Sequence, residues 1–185
     1  MTAADEQHLI SRARDGSQEA FRILVERHMK HAYNVAFGFV GNHDDAAEVA
    51  QEAFVRAHRS LSSFREEAAF GTWLHRIVLH LAMNRVKKNR ARGVHEVPAG
   101  DPEARRASGG GEHGGDADVR DHIERALHEL PTLQRAVVIL RHMDGLSTKQ
   151  VSGILRCSEG TVKTHLFRGL KKLREKLVYL QEDMA

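Results

Sequence analysis

The sequence predicts an all-α fold of two small helical domains joined by a flexible linker, with a helix–turn–helix in the second domain. Apolar side chains recur at three- and four-residue spacing, the period of amphipathic helices, and β-branched alternation is almost absent. The chain has only three prolines, all between residues 98 and 131. One long segment, 93–118, lacks the helical pattern. We therefore divide the chain into a first domain at 1–92, a linker at 93–118 and a second domain at 119–185.

The overall composition suits an intracellular protein that meets a polyanion. The 185 residues suffice for two small domains, the net charge is +3 and the pI is about 9.2. A single cysteine excludes an internal disulfide framework and suits a reducing compartment. The sequence has neither a signal-peptide pattern at its N-terminus nor an apolar run long enough to cross a bilayer. We therefore expect a cytoplasmic protein without membrane insertion.

Four helices are expected in the first domain. The first spans 5–14 and stops at "DGS" (15–17), and the second ends near "GN" (41–42). Asn42 or Asp44 can cap the third helix, whose acids suit the positive helix end. The fourth starts near residue 70 and carries apolar residues at helical spacing: Phe70, Trp73, Leu74, Ile77, Val78, Leu81 and Ala82.

The third predicted helix begins with an acidic stretch, "GNHDDAAEVAQEAF" (41–54), that has no positive charge. It is typical of a solvated helix face or of a docking surface for a basic partner. His43 beside two aspartates also fits a metal-dependent hydrolase. However, His28, His31 and His43 do not form the spacing of a zinc site, and no nucleophile–base pair stands out. We predict no catalytic residue, no metal ligand, no cofactor and no enzymatic activity.

The fourth predicted helix continues into a basic segment, "NRVKKNRAR" (84–92), without an acid. Phe64, Phe70 and Trp73 lie just before it. Aromatic rings beside a cationic track are what single-stranded nucleic acid binds, because every base has a face that can stack. The alternatives are a cationic helix end favoured by the helix dipole and rings that simply pack in a core. For Phe70 we favour core packing.

The linker at 93–118 differs in composition from both domains. It has many glycines, two of the three prolines, more acids than bases and almost no large apolar residue. Such a segment cannot bury enough surface to offset the entropy lost on ordering, so we expect it to be flexible.

Residues 146–177 have the pattern of a helix–turn–helix. Ser147 and Gln150 form a capping box, 156–158 is the turn, and Ser158 can cap the second helix. Cys157 in the turn is expected to be a half-buried residue rather than a redox sensor.

Two stripes of side chains separate along that second helix. One is apolar and is expected to face the core: Val162, Leu166, Leu170, Leu173 and Leu177. The other is polar and basic: Lys163, Thr164, Phe167, Arg168 and Lys171. A phenylalanine among cations suits a DNA major groove, where it can contact thymine methyl groups. A hairpin with a solvated basic face is the alternative.

Motifs of both domains, in this order, resemble the bacterial extracytoplasmic-function sigma factors, small two-domain specificity subunits of RNA polymerase. "DDAAEVAQEAFVRAH" (44–58) is similar to the family's acidic core-binding helix. "FGTWLHRIVLHLAMNRVKKNR" (70–90) resembles its promoter-melting helix, and 127–177 resembles its C-terminal domain. The chain departs from the usual family residues at His80, Asn84, 149–152 and His165, positions that bear on promoter preference.

The resemblance implies a sigma factor that binds core RNA polymerase and directs promoter-specific initiation, recognising the −35 and −10 elements and helping to melt DNA. The implied partners are promoter DNA, core polymerase through its β′ clamp helices and β flap, and an anti-sigma factor. Core binding would fall to Asp45, Glu48, Gln51, Glu52 and Arg56. Recognition and melting of the −10 element would fall to Ser63, Phe64, Arg65, Trp73, Arg76, His80, Asn84, Arg85, Lys87 and Lys88. Recognition of the −35 element would fall to Ser158, Thr161, Lys163, Thr164, His165, Phe167, Arg168, Lys171 and Lys172.

A stand-alone helix–turn–helix transcriptional regulator is the alternative function. It explains the second domain, but it gives no role to the acidic helix or to the aromatic and basic helix of the first domain.

Overall fold

A computed structural model describes residues 3–65, 68–91 and 114–178. Helices and turns form this part of the chain, which contains no strand, so the all-α prediction is confirmed. A 3-10 turn spans Leu61–Ser63, and a π-helical turn spans Ile139–Met143. The helices are α1 (Ala3–Arg14), α2 (Gln18–Val40), α3 (His43–Ser60), α4 (Phe70–Ala91), α5 (Gly114–His128), α6 (Thr132–Val138), α7 (Thr148–Leu155) and α8 (Glu159–Leu177).

The helices of the first lobe (α1–α4) begin and end at local signals that the sequence carries. Gly41 ends α2 with φ 77°, a left-handed conformation that glycine adopts without a Cβ clash. Asn42 is the N-cap of α3, since its side-chain oxygen accepts the backbone N–H of Asp45 at 2.8 Å. Of the two expected caps, the chain therefore uses Asn42 rather than Asp44.

The second lobe (α5–α8) begins earlier than the sequence pattern indicated. Helix α5 starts at Gly114, so the last five residues of the predicted linker are helical. The remainder of the predicted linker, 93–113, lies outside the described residues, and its flexibility stays a prediction.

Apolar residues from α2, α3 and α4 form the core of the first lobe, with Leu24, Phe39, Phe54 and Phe70 buried at its centre. The burial of Phe70 confirms that it packs in the core. This core continues into the second lobe, because Ile139, Leu140 and Val151 belong to the same buried cluster. The two lobes are thus packed directly on each other.

The prediction is wrong for one residue of the apolar stripe on α8, which is exposed rather than buried. Leu170 is 38% exposed, whereas Gly169 is buried against α6. A Cβ at Gly169 would lie 2.9 Å from Cγ2 of Val138, so this position is the closest approach of the two helices. The buried row therefore follows the 3.6-residue period through Val162, Leu166 and Gly169, and Leu170 lies on its flank.

Candidate functional site

Helix α8 separates a buried face from an exposed face along its whole length. Ser158 caps the helix by accepting the backbone N–H of Thr161 at 3.1 Å, as expected. Val162 is fully buried, whereas Phe167 is 71% exposed although it is a large apolar residue. The exposed surface of α8 contains most of the predicted −35 residues: Ser158, Lys163, Thr164, Phe167, Arg168, Lys171 and Lys172. Such a helix can lie in a major groove with cations at its edges.

Two predicted −35 residues are less accessible. Thr161 is half-buried, and its hydroxyl is 2.9 Å from that of Ser158, within the cap. His165 is also half-buried, and its Nδ1 is shielded from solvent without a hydrogen-bond partner among the described residues. Both side chains are thus placed to support the exposed face rather than to project from it.

The helix–turn–helix itself is confirmed. Helix α7 starts with the predicted capping box, in which Ser147 and Gln150 exchange side-chain-to-backbone hydrogen bonds of 3.2 and 2.8 Å. Arg156 ends α7 in the left-handed conformation with φ 53°. Cys157 is half-buried, as expected, and its carbonyl oxygen accepts the hydroxyl of Ser152 at 2.6 Å. These bonds define the start of α7 and hold the turn that leads into α8.

Helix α3 presents an acidic face to solvent. The exposed residues Glu48, Gln51 and Glu52 lie on this face, and the side chain of Glu48 is 64% exposed. Arg56 donates from Nε to Glu52 at 2.7 Å, one turn further along the helix. A carboxylate row of this kind can attract a basic partner over a distance.

Asp45 differs from its acidic neighbours because it ties α3 to α4. Its carboxylate accepts hydrogen bonds from Asn42 Nδ2 at 3.0 Å and from Asn89 Nδ2 at 2.9 Å, and a further one from Arg85. Burial raises the pKa of this carboxyl, but the hydrogen bonds and the Arg85 charge outweigh it and hold the pKa below its ordinary value. Arg85 also donates to Glu48 at 2.6 Å, and these carboxylates raise its pKa. Asp45 and Arg85, which the sequence assigned to two different surfaces, thus form one ion-pair cluster.

The predicted −10 residues fall into two groups. The exposed group lies on the basic part of α4 and on the preceding turn and loop: Ser63, Arg65, His80, Asn84, Lys87 and Lys88. The second group is engaged within the protein. Phe64 is buried with its ring 4.9 Å from that of Trp73, which is half-buried. Arg76 donates from Nη2 to the carbonyl oxygen of Gly153 in α7 at 2.7 Å.

Within the described residues, no group of three or more histidine, cysteine, aspartate or glutamate side chains is arranged to hold a metal ion. No helix in this part of the chain is long and apolar enough to cross a membrane.

Comparison with known proteins assigns both lobes. The family model for sigma-70 region 2 matches residues 24–92, and the model for sigma-70 region 4 matches residues 120–173. The chain is 33% identical over 185 residues to the RNA polymerase sigma-H factor of Pseudomonas aeruginosa, and the match covers 96% of each chain. It is 32% identical to the ECF RNA polymerase sigma-E factor of Escherichia coli K12, with 93% of this chain and 94% of the relative covered.

The chain belongs to the extracytoplasmic-function sigma factors. As an RNA polymerase sigma factor it directs promoter-specific initiation of transcription. Because both family regions match, a stand-alone regulator is not favoured.

Two solved structures share the fold of this sigma factor. CnrH, in complex with the cytosolic domain of CnrY, is 25% identical with a TM-score of 0.72, and the match covers 94% of this chain and 97% of CnrH. The sigma factor RpoE, in complex with the anti-sigma factor NepR from Bartonella quintana, is 23% identical with a TM-score of 0.67. That match covers 85% of this chain and 96% of RpoE.

Sequence reasoning missed several residues that organise this sigma factor. Asn89 holds Asp45, and Asp144 binds histidines of the first lobe (His31 and His75) from the second. Their partners lie 44 to 113 residues away in the chain, so no local spacing indicated these contacts.

Proposed function

We propose that this sigma factor divides its work between the two domains predicted from the sequence. The first domain, 1–92, would bind core RNA polymerase and open the −10 element. The second, 119–185, would read the −35 element with α8. The observation that carries this division is the exposed face of α8, where Phe167 stands among cations opposite a buried apolar row.

Core binding is assigned to the exposed acidic face of α3. Glu48, Gln51, Glu52 and Arg56 are exposed on this face, where they can meet the basic β′ clamp helices. Asp45 contributes mainly by positioning, because its carboxylate is already committed to Asn42, Asn89 and Arg85. Association through such a charged face is fast and weakens as salt is added. The second lobe would add a contact with the β flap.

DNA contacts are assigned to the exposed residues of α4 and α8. In α8, Lys163, Thr164, Phe167 and Arg168 would meet base edges, and Lys171 and Lys172 would hold phosphates. In α4, the exposed side chains of His80, Asn84, Lys87 and Lys88 form a track for the −10 strand.

The extruded −10 base would be held by the loop that carries Ser63, Phe64 and Arg65. The rings of Phe64 and Trp73 already pack against each other at an angle of 37°, so a base that enters this site must displace or open the aromatic pair. Extrusion of a base costs a few kcal/mol, which contacts with this loop must offset.

An anti-sigma factor is a further proposed partner of this protein, and the cytoplasm is its proposed location. The support is the family membership together with the solved relative RpoE, which was determined with the anti-sigma factor NepR.

Run-off transcription with purified core polymerase on a promoter library tests the proposal. The double variant Glu48→Lys, Glu52→Lys should lose core binding and initiation with little change in melting temperature, because the ion pairs that it removes, with Arg85 and Arg56, lie at the surface. Asp15→Lys is the matched control, since it reverses an exposed charge in the turn between α1 and α2. Initiation by the double variant at the wild-type level would contradict the core-binding assignment. A wild-type protein that starts no promoter-dependent transcript would contradict the function.

A further inference from the structure

Helix α1 has no task in the function proposed above, and the match to sigma-70 region 2 begins only at residue 24. Its apolar side chains are nevertheless well packed, since Leu9, Ile10 and Ala13 belong to the buried cluster of the first lobe. Burial of these side chains accounts for the attachment of α1 to the rest of the lobe. It does not account for the polar contacts at the two ends of the helix, which lead to the two elements beside the proposed −10 base site.

Glu6 makes the polar contact near the N-terminal end of α1. Its carboxylate accepts hydrogen bonds from Nε2 of His28 at 2.8 Å and from Nη1 of Arg27 at 3.3 Å, both on α2. The His28 ring in turn lies 5.2 Å from the ring of Phe70, and a Cβ at Gly71 would lie 3.3 Å from its Cε1. Glu6 is thus linked through His28 to the first turn of α4.

Arg14 makes the polar contact at the C-terminal end of α1, of which it is the last residue. Its Nη2 donates to the carbonyl oxygen of Phe64 at 2.7 Å, across 50 positions of the chain. Phe64 follows the 3-10 turn in an extended conformation (φ −70°, ψ 112°), so its carbonyl group lies outside any helix. A charged donor forms a stronger hydrogen bond with such a carbonyl than a neutral donor does. Helix α1 therefore holds the backbone of the loop at this residue.

The backbone at Phe64 determines where the residues of the proposed base site lie. The Phe64 ring packs 4.9 Å from the ring of Trp73 and 6.0 Å from that of Phe70. Ser63 and Arg65, its neighbours in the chain, are exposed. Because Ser63, Phe64 and Arg65 are consecutive, a rotation of the backbone at Phe64 would displace all of them together.

Contacts within the loop shape the 3-10 turn but do not orient it. The backbone N–H of Phe64 donates to the carbonyl oxygen of Leu61 at 3.1 Å, and the hydroxyl of Ser63 donates to that of Ser60 at 2.7 Å. Both bonds join residues three positions apart, so they move with the turn as a unit. Leu61, which is 2% exposed, anchors the start of the turn in the core. The hydrogen bond from Arg14 anchors its other end.

A base that enters the site affects the two attachments of Phe64 differently. In the proposed function the base opens the pair of Phe64 and Trp73, so the Phe64 ring gives up its packing. The hydrogen bond from Arg14 ends on the backbone carbonyl, and a rotation of the side chain between its χ1 rotamers leaves that bond in place. The loop backbone therefore stays ordered while the ring makes room, and the base binds without the additional cost of ordering the loop.

We propose that Arg14 is a positioning residue of the −10 base site, which holds the loop through the Phe64 carbonyl while the Phe64 ring admits the extruded base. Glu6 fixes the other end of α1 and thereby supports the same arrangement. A purely structural role, in which Arg14 stabilises the fold but does not affect the base, is the alternative. The inference rests on the proposed function, because that function assigns the extruded base to this loop.

Fluorescence of Trp73 in the free, full-length protein tests whether Arg14 holds the loop. Trp73 is the only tryptophan of the chain and is half-buried beside Phe64. Arg14→Ala should shift its emission to longer wavelength and increase its quenching by acrylamide, because the loosened loop admits water to the indole. Arg14→Lys keeps a cationic donor and should restore most of the wild-type signal.

Arg12→Ala is the matched control, since Arg12 is exposed in the same last turn of α1. It should leave both the emission and the quenching of Trp73 unchanged. Wild-type fluorescence from Arg14→Ala, shown by circular dichroism to be folded, would overturn the inference, because the loop would then be held without Arg14.

Run-off transcription with core polymerase tests the effect on the extruded base. The templates are a promoter that the wild-type protein uses and a series in which one nucleotide of the −10 non-template strand is abasic. Wild type should lose transcription at the abasic position that removes the extruded base. Arg14→Ala should transcribe the intact promoter about three to ten times less, the effect of one hydrogen bond. Its further loss at that one abasic position should be smaller than that of wild type, because the base contacts are already weakened, and equal at the other positions.

Two outcomes of the transcription experiment would contradict different claims. An equal fold-loss in Arg14→Ala and wild type at every abasic position would show a purely structural role and overturn the inference. A wild-type protein that initiates but is insensitive to every abasic position would contradict the proposed base site itself, and the inference with it.

Discussion

At the scale of single residues, one sequence motif contains side chains with different tasks. Asp45 and Glu48 lie one turn apart in the acidic stretch, yet Asp45 is held by Asn42, Asn89 and Arg85 whereas Glu48 is largely exposed. Substitution of a carboxylate that accepts several hydrogen bonds destabilises the folded protein, whereas substitution of an exposed carboxylate has little effect. Charge reversal at Asp45 would therefore combine a folding defect with any loss of binding, and Glu48 and Glu52 are the better probes.

Phe167 is a large apolar side chain that is 71% exposed and contributes little to the core. Phe167→Ala should change the free energy of unfolding by less than about 0.5 kcal/mol, because the ring packs little within the protein. Promoter-dependent run-off should fall by roughly 5- to 150-fold, the equivalent of the 1–3 kcal/mol of a good base-edge contact. Leu133→Ala is the control, since Leu133 is 51% exposed on α6 outside the proposed DNA face. Equal transcription by Phe167→Ala and wild type would exclude Phe167 from the −35 contact.

At the scale of elements, the helix–turn–helix depends on local backbone chemistry. Ser147 and Ser158 cap α7 and α8 in turn, and Gly145 has φ 68° before α7. These signals can be read in the sequence because each acts over three or four residues. The apolar stripe of α8 could be predicted only in part, since the angle at which α6 crosses it decided that Gly169 rather than Leu170 is buried.

Arg156 is the one non-glycine residue with positive φ among the described residues, and its side chain is exposed. A left-handed conformation is unfavourable for L-residues by roughly 1–2 kcal/mol, and glycine avoids this cost. Part of the gain is cancelled because glycine has more conformational entropy in the unfolded chain and loses it on folding. Arg156→Gly should raise the melting temperature by about 2–4 °C in scanning calorimetry. Gly145→Ala should lower it, because nothing lies within 4 Å of the new methyl group and only backbone strain acts. A lower melting temperature for Arg156→Gly would show that the Arg156 side chain stabilises the turn.

At the scale of the whole molecule, the buried carboxylate of Asp144 joins the second lobe to His31 and His75 of the first. Burial alone would raise the pKa of Asp144, but the hydrogen bonds from His75 and His31 outweigh it and the pKa lies below its ordinary value of 3.8. A carboxyl with a depressed folded pKa stabilises the fold above its unfolded pKa. That contribution is lost as the pH falls through the folded value.

Asp144→Asn should therefore be less stable than wild type at pH 7, by about 1–3 kcal/mol in urea unfolding. The difference should shrink as the pH falls below the ordinary value of 3.8 and through the lower folded pKa of Asp144, beneath which the wild-type carboxyl is also neutralised. Asp15→Asn, at an exposed position, should match wild type at both pH values. A stability difference for Asp144→Asn that is the same at pH 7 and at a pH below the folded pKa of Asp144 would mean that the carboxylate charge does not hold the interface.

The sequence by itself determined the helices, their caps, the helix–turn–helix and the exposed basic stripe of α8, because these features depend on spacings of three to seven residues. It also indicated the family, because the motifs of both domains occur in the family's order. Only the tertiary structure decided which charged groups are free. Arg85 meets Asp45 across 40 positions, Arg76 meets Gly153 across 77, and Asp144 meets His31 across 113. Such pairings arise from the packing of helices and lobes, and periodicity along one helix contains no information about the charge that the next helix brings.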